Sequence, residues 1–167
     1  MHHVFRKLLT ASAILMALSS TGCIKKILLN GQIAGTRKAS AAISTISDYE
    51  VANTVAFNGL GKFEGMHYLG PDNQDALFML TKGWASAGFA FIEDQMERAY
   101  DLHGEDSELY LYHKARAVAA YSRAVYYGTK LLDMRNPGYE AARKNTGSLR
   151  SWLQKFTDAK VDVPNLI

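Results

Sequence analysis

Glutamate and histidine, two residue types that bind transition metals, stand three positions apart in the segment Glu64-Gly-Met-His67. On a helix these two side chains are about one turn apart, so both could reach a single metal ion. A di-iron helical bundle builds its site from two such Glu-x-x-His pairs and two further glutamates. This chain has one pair, and glycines flank it. We therefore predict that no metal or other cofactor is bound here.

Acidic side chains cluster at Glu93, Asp94 and Glu97, a spacing at which carboxylates can do acid–base chemistry. That chemistry requires a desolvated cleft, which pushes the pKa values of the two carboxyl groups apart. Lys82 and Arg98 lie close by in the sequence, as is typical of a solvated helix face. The chain also lacks a phosphate-binding glycine loop, a G-x-S-x-G motif and an H-E-x-x-H motif. We therefore predict that the protein is not an enzyme.

A segment rich in tyrosine and arginine, residues 108–128, suggests binding rather than catalysis. Arg116 and Arg123 are seven positions apart and share one face of a helix. Tyrosine and arginine are enriched among the residues that dominate binding interfaces. We predict that Arg116, Tyr121 and Arg123 line a ligand cleft or a partner-docking face. The alternative is that tyrosines such as Tyr121 only fill the space between packed helices.

The only cysteine, Cys23, follows two cations, an apolar run at residues 8–18 and four small residues. The apolar run is too short to span a bilayer, which takes about 20 residues. The order resembles a bacterial lipoprotein signal, in which a lipid is attached to the cysteine and the chain is cut just before it. It departs from that pattern at Ser20, where leucine is usual. We expect a signal peptide at residues 1–22 and a lipid anchor on Cys23. The alternatives are an ordinary signal peptide with a stray cysteine, or a buried hydrophobic start.

The charge of the chain excludes one class of partner. The sequence has 19 basic and 16 acidic residues, and two of the basic ones, Arg6 and Lys7, lie in the leader. The part after Cys23 is therefore nearly neutral, which gives no electrostatic basis for binding nucleic acid. Its length suits a single domain with a real core. Ile24, next to the anchor, is not the aspartate that retains some lipoproteins at the inner membrane, so the outer membrane is favoured.

The hydrophobic pattern predicts an all-α fold. There are three prolines, and no apolar run alternates with a period of two between turn signals. Residues 23–35 read as a lipid-anchored tether or a frayed helix. Asp48, Asp72 or Asn73, Asp106 and Ser148 are candidate N-caps, and Gly104 is a candidate C-cap. These signals predict helices at about 36–47, 48–69, 73–101, 107–133, 138–145 and from 148 onward.

Two spacings resemble the two helices of a tetratricopeptide repeat. They are W-x2-A-G-x2-F and A-x3-Y-x2-A, carried by Trp84, Ala87, Gly88 and Phe91 and by Ala117, Tyr121 and Ala124. Small residues would let the helices approach while the aromatic rings fill the gaps. The arms are longer than in a regular repeat, and any antiparallel helix pair can show such spacings. We predict stacked antiparallel helical hairpins, tetratricopeptide-like, over residues 36–167.

The leader, the GPDN turn at 70–73 and two helical blocks together resemble the T-component (TatT) family of TRAP transporters. The blocks are ALFMLTKGWASAGFAFIEDQMERA at 76–99 and HKARAVAAYSRAVYYGTKLL at 113–132. The matching residues are Pro71, Asp72, Asn73, Ala87, Phe89 and Phe91, then Ala115, Arg116, Tyr121, Arg123, Ala124 and Leu131. The resemblance implies a lipid-anchored periplasmic scaffold that docks the substrate-binding P component of a TRAP-type uptake transporter. It also implies a homo-oligomer, a trimer in this family.

The family continues beyond the segment that matches the end of this chain. We therefore expect residues 36–167 to be the N-terminal part of the family domain, with the chain truncated at its C-terminus. A helical stack that stops part-way exposes an apolar face, so we expect marginal stability or self-association. The second functional reading is a general tetratricopeptide-like envelope lipoprotein that mediates protein–protein interactions only.

Overall fold

The computed structural model describes residues 24–156, and the predicted signal peptide and Cys23 lie outside the described residues. All the regular structure in this range is helical, which confirms the predicted all-α class. The α-helices are α1 (24–39), α2 (Tyr49–Leu69), α3 (Gln74–Ala87), α4 (Asp94–His103), α5 (Glu108–Arg135), α6 (Tyr139–Ala142) and α7 (Thr146–Leu153). The tetratricopeptide-like stacking remains a prediction.

Local capping interactions set the starts of the long helices. Asp48 accepts a hydrogen bond from the Val51 backbone N–H at 2.9 Å, as its place in the sequence predicts. Asn73, one of two candidates, does the same for the Ala76 N–H at 2.9 Å. Each cap satisfies a backbone donor that has no partner inside the helix. Both helices therefore start where short polar side chains precede the apolar periodicity.

Two predicted caps were wrong by one and three positions. Ser107, not Asp106, caps α5, because Ser107 has the extended backbone of an N-cap and its hydroxyl accepts from the Tyr110 N–H at 3.2 Å. Asn145, not Ser148, caps α7, and its side chain accepts from the N–H groups of residues 147 and 148. Gly104 ends α4 with a φ of 81°, as predicted, because a positive φ favours a residue without a Cβ.

The segment expected to be a tether or a frayed helix is helical as far as the structure describes it, and two of its residues pack against the core. α1 runs from residue 24 to residue 39, and a 3-10 turn, Ser40–Thr45, follows it where an α-helix was expected. Ile33 is fully buried in the main core, and Leu29 packs against the same core. The Asn73 side-chain amide donates to the Asn30 side chain at 2.9 Å. Apolar residues four positions apart therefore hold α1 against the turn between α2 and α3.

The long helix predicted over residues 73–101 is unbroken but changes type along its length. A π-helical segment, Gly88–Glu93, separates α3 from α4. A Cβ on Gly88 would lie 3.4 Å from the Tyr121 ring and 3.5 Å from the Ala120 Cβ, so glycine brings this segment close to α5. The extra residue of a π turn changes which side chains face the neighbouring helix. Phe89 is consequently exposed, whereas Ile92 is buried.

The core lies on both sides of α3, which packs against α2 and against α5. Its side chains are fully or almost fully buried apolar residues contributed by four helices. They include Ile33, Leu60, Phe63, Leu77, Leu80, Ala87, Tyr127 and Leu131. A smaller cluster joins the π segment to α5 through Ile92, Ala117 and Ala120. Short turns at 70–73 and 104–107 reverse the chain, so α2, the α3–α4 arm and α5 run antiparallel.

Candidate functional site

Helix α5 carries all three residues that the sequence predicted for a binding face. Seven positions of an α-helix make almost two full turns, so Arg116 and Arg123 lie on the same side of α5. Tyr121 is five positions from Arg116, which places it about 140° around the helix. Tyr121 packs instead against Gly88 and the cluster around Ile92. The structure therefore brings the two arginines to one side and places Tyr121 on another.

Arg123 is held by a carboxylate on α2. Its Nε donates to Glu64 Oε1 at 2.9 Å, and its Nη2 lies 2.7 Å from the same oxygen. The guanidinium also lies over the Trp84 ring, 5.3 Å from the ring centroid. The pKa of Arg123 is raised, chiefly by the hydrogen bond to Glu64. About half of the side chain stays exposed, so Arg123 is a paired cation with one accessible edge.

Glu64 is the centre of a polar cluster that joins α2, α3 and α5. The Trp84 Nε1–H donates to Oε1 at 2.7 Å, and the Tyr127 hydroxyl donates to Oε2 at 2.5 Å. Burial alone would raise the pKa of the Glu64 carboxyl, but the bonds from Tyr127, Arg123 and Trp84 outweigh it and lower that pKa. Burial and the Glu64 carboxylate raise the pKa of Tyr127 to about 12. We call Glu64, Trp84, Arg123 and Tyr127 the Glu64 cluster.

Both residues of the Glu-x-x-His spacing pack around the Glu64 cluster. Both carboxylate oxygens already accept hydrogen bonds, and His67 lies edge-on to the Tyr127 ring with centroids 5.2 Å apart. Burial, and next the charge of Lys130, lower the pKa of His67. Within residues 24–156 no three histidine, cysteine or acidic side chains are grouped so that they could hold a metal ion.

Arg116 also contacts neighbouring side chains. It donates to Gln95 Oε1 at 2.7 Å and lies 3.1 Å from His113 Nδ1. Its guanidinium is 5.6 Å from the centroid of the exposed Tyr112 ring. Tyr127 is buried, Tyr121 is partly buried and Tyr112 is exposed, so the tyrosines of α5 divide between packing and surface.

The three clustered acidic residues do not form a carboxylate pair in a cleft. Asp94 accepts from the Tyr49 hydroxyl at 3.0 Å and pairs with Arg98 at 3.1 Å. Burial, and then Glu93 as a hydrogen-bond partner, raise the pKa of the Tyr121 hydroxyl. Glu97 is exposed. Glu97 therefore lies on a solvated face, as the sequence predicts, whereas Asp94 bonds α4 to the start of α2.

A surface that the sequence reasoning missed lies on the side of α5 opposite the core. All of its residues are exposed and none is charged. They are Leu111, Ala115, Val118, Ala119, Ser122, Val125 and Tyr126, which we call the α5 outer face. The exposed fractions of Leu111, Val118, Val125 and Tyr126 are 51%, 61%, 61% and 59%. Leucine and valine at positions 111, 118 and 125, seven apart, were the signal in the sequence.

The α5 outer face has the properties of a contact surface. It extends over 16 residues of one helix, which is about 24 Å. Isolated exposed apolar residues are normal, whereas a contiguous uncharged patch marks an interaction site. The side that carries Arg116 and Tyr112 borders this face, which supplies the polar and aromatic rim found around interfaces. The arrangement can therefore bind a partner surface through apolar contacts.

The fold is all-helical, and its antiparallel helices leave an apolar surface of α5 exposed. Within the described range, no helix combines the length and apolarity needed to cross a membrane. A model of the TRAP transporter T-component family matches residues 46–166, which is most of the chain. The chain belongs to this family, as its resemblance predicted, and its role is therefore with TRAP transporters of the bacterial envelope. Searches of the curated proteins and of the solved structures found no match.

Proposed function

We propose that this protein is a lipid-anchored periplasmic scaffold that assists a TRAP-type uptake transporter by docking its substrate-binding P component. Family membership supports the association with a TRAP transporter. The leader and Cys23 support lipid attachment on the periplasmic side of a membrane, with the outer membrane favoured. The observation that carries the docking step is the α5 outer face, an exposed helix surface whose own residues are uncharged and which Lys114 borders on one side.

The α5 outer face suits a protein partner better than a small solute. A solute site is concave and encloses most of its ligand, whereas this face is the convex side of one helix. Interfaces between proteins are depleted of charge at the centre and enriched in tyrosine and arginine. Here Leu111, Val118 and Val125 supply aliphatic contact area and Tyr126 an aromatic ring, and Tyr112, Lys114 and Arg116 border the face.

No catalytic step is part of this proposal. The family is an accessory component of a transporter, and such a component is not a class of enzyme. The polar side chains of the Glu64 cluster are engaged with one another. In this proposal Arg116 and Arg123 border the α5 outer face, and Tyr121 positions α5 against the π-helical segment at Gly88. The proposal requires no cofactor.

The docking step is tested by placing a charge at the centre of the α5 outer face. The full chain, extracted from membranes in mild detergent, is titrated against the P component from the same organism. Val118→Lys puts an unpaired charge into the proposed interface, which costs several kcal/mol when the charge is desolvated. We expect binding to weaken at least tenfold. Val51→Lys makes the same change at an exposed valine on α2 and should leave the affinity unchanged.

Two results would count against this function. Equal binding by both lysine variants would remove the α5 outer face from the proposal. Capture of other envelope proteins but no P component would favour the general tetratricopeptide-like lipoprotein.

Light scattering of the same samples shows whether the α5 outer face joins copies of this chain, since Val118→Lys would then lower the oligomeric state. Mass spectrometry of the N-terminal peptide tests the acyl chains on Cys23 separately.

A further inference from the structure

The charges of the described helices are separated along the length of the molecule. Residues 24–30, 66–78 and 126–156 meet at one end, which carries eight lysines and arginines against four aspartates and glutamates. Residues 46–56 and 93–120 meet at the other end, which carries nine acidic residues against three basic ones. We call these the basic end and the acidic end.

Contacts between helices place these segments together. At the basic end, Lys25, Lys26 and Leu29 of α1 line a cleft of about 670 Å³ with residues 69–74, the turn between α2 and α3. Gln74 in turn shares a neighbouring depression with Arg135 and Lys155. Four cations from three parts of the chain therefore surround one turn.

Contacts at the acidic end are equally direct. The Tyr49 hydroxyl at the start of α2 donates to Asp94 at 3.0 Å. Tyr100 near the end of α4 lies 5.6 Å from Tyr110 at the start of α5. Asp101, Glu105, Asp106 and Glu108 lie in or beside the turn between α4 and α5.

The basic end also exposes large apolar side chains. Ile24, Ile27 and Leu28 are three and four positions apart on the first turns of α1, and each is more than half exposed. Leu69, at the end of α2, is 71% exposed and lines the same cleft as Lys25 and Lys26. Exposed aliphatic residues with lysines among them are the composition that lies in the interface of an anionic bilayer.

The basic end lies next to the proposed lipid anchor in the chain, which favours the membrane as the surface that it contacts. Ile24 directly follows Cys23, which carries the proposed lipid, so the anchor attaches beside the exposed apolar residues. A bilayer that holds Cys23 is within reach of the basic end and far from the acidic end. The helix that joins the ends, residues 74–103, is about 45 Å long. Anionic headgroups would attract the basic end and repel the acidic end.

We propose that the basic end lies on the surface of an anionic bilayer, with Ile24, Ile27, Leu28 and Leu69 in the headgroup region. Lys25 and Lys26 contact the phosphates. The acidic end then points away from the membrane, and the α5 outer face stands roughly upright, open to a partner. The inference builds on the proposed lipid anchor, and the experiment separates the two.

The test measures the depth of a fluorophore at each end. The full chain is purified from membranes and placed in vesicles of phosphatidylglycerol and phosphatidylcholine that carry a quencher at headgroup depth. A polarity-sensitive dye is attached to Leu69→Cys, and the matched control is Leu102→Cys on α4, which is 76% exposed at the acidic end. We expect quenching and a blue-shifted emission at position 69 and neither at position 102. Equal quenching at both positions, or none at position 69, would overturn the orientation.

The lysines and the anchor are tested in the same assay. Each of Lys25→Gln and Lys26→Gln should weaken the attachment of the basic end to anionic vesicles about fivefold. Unchanged quenching in vesicles of phosphatidylcholine alone would overturn the electrostatic part.

Mass spectrometry reports the acylation of Cys23 in the sample used. If Cys23 proves unmodified, Cys23→Ser combined with Leu69→Cys is added to preformed anionic vesicles. Quenching then supports the surface without the anchor, and its absence refutes it.

Discussion

The structure makes a specific prediction for the loss of stability when the charge of Glu64 is removed. Glu64→Gln keeps the size of the side chain but replaces a carboxylate that accepts from Trp84, Arg123 and Tyr127. The amide can still accept a bond at its oxygen, but its nitrogen presents hydrogens to donors. We expect the helix contacts of α2 with α3 and α5 to weaken together.

The size of the loss follows from the kind of bond. A hydrogen bond to a charged group contributes about 1.5–3 kcal/mol, against about 0.5–1.5 kcal/mol for a neutral one. Trp84 and Tyr127 therefore each lose about 1 kcal/mol. The Arg123 pair is half exposed and adds at most about 1 kcal/mol. We expect Glu64→Gln to lower the free energy of unfolding by about 2–3 kcal/mol, or the melting temperature by about 5–10 °C.

Thermal unfolding followed by far-UV circular dichroism measures this loss, and its pH dependence identifies the cause. The pKa of Glu64 is below its ordinary value of 4.5 in the folded protein. Its contribution is therefore complete above about pH 4.5 and disappears as the pH falls through the folded-state pKa. The difference in melting temperature between wild type and Glu64→Gln should shrink in the same range.

Glu97→Gln is the matched control because Glu97 is an exposed glutamate on a neighbouring helix. Its effect should stay within about 0.5 kcal/mol. An equal effect of the two substitutions would refute the argument from buried donors. A difference that persists unchanged in acid would show that the carboxylate charge is not responsible. A double-mutant cycle with Tyr127→Phe should give a coupling energy of about 0.5–3 kcal/mol.

Three further substitutions test how the helices are built, each by thermal or denaturant unfolding. Gly65→Ala should stabilise α2 by about 0.5–1 kcal/mol, because a Cβ there meets nothing within 4 Å and alanine favours the helix. Gly83→Ala should instead destabilise by about 1 kcal/mol, since its Cβ would lie 2.7 Å from Leu60 Cδ2 in the core; a gain in stability would show that the core yields there. Ser107→Ala should cost about 1 kcal/mol through loss of the bond from the Tyr110 N–H, and no change would mean that α5 needs no cap.

The fold class was predictable because the signals for helices are local. Asp48 and Asn73 accept bonds from N–H groups three residues ahead, so the helix starts are legible in short stretches of sequence. The predicted start of α5 was wrong by one residue. Asp106 and Ser107 are both good caps, and the turn geometry decides between them. The helical state of residues 24–35 was harder to predict, because that segment shows little beyond Leu29 and Ile33 to anchor it.

The predicted binding residues all lie on α5, but they do not share one surface. Arg116 and Arg123 do share a side, as their spacing requires, yet Glu64 and Gln95 engage them. Tyr121 faces Gly88 instead. The sequence pattern of the α5 outer face is a different one, with aliphatic residues seven positions apart.

The sequence by itself determined that the fold is helical, roughly where its long helices begin and to which family the chain belongs, since these depend on spacing within one segment. The tertiary structure decided which distant groups meet. Glu64 and Arg123 are 59 positions apart, and no local spacing shows that they pair. The charge separation likewise appears only when the antiparallel helices bring residues 24–30, 66–78 and 126–156 to one end. Electrostatic fields depend on distance in space, which the chain fixes only by folding.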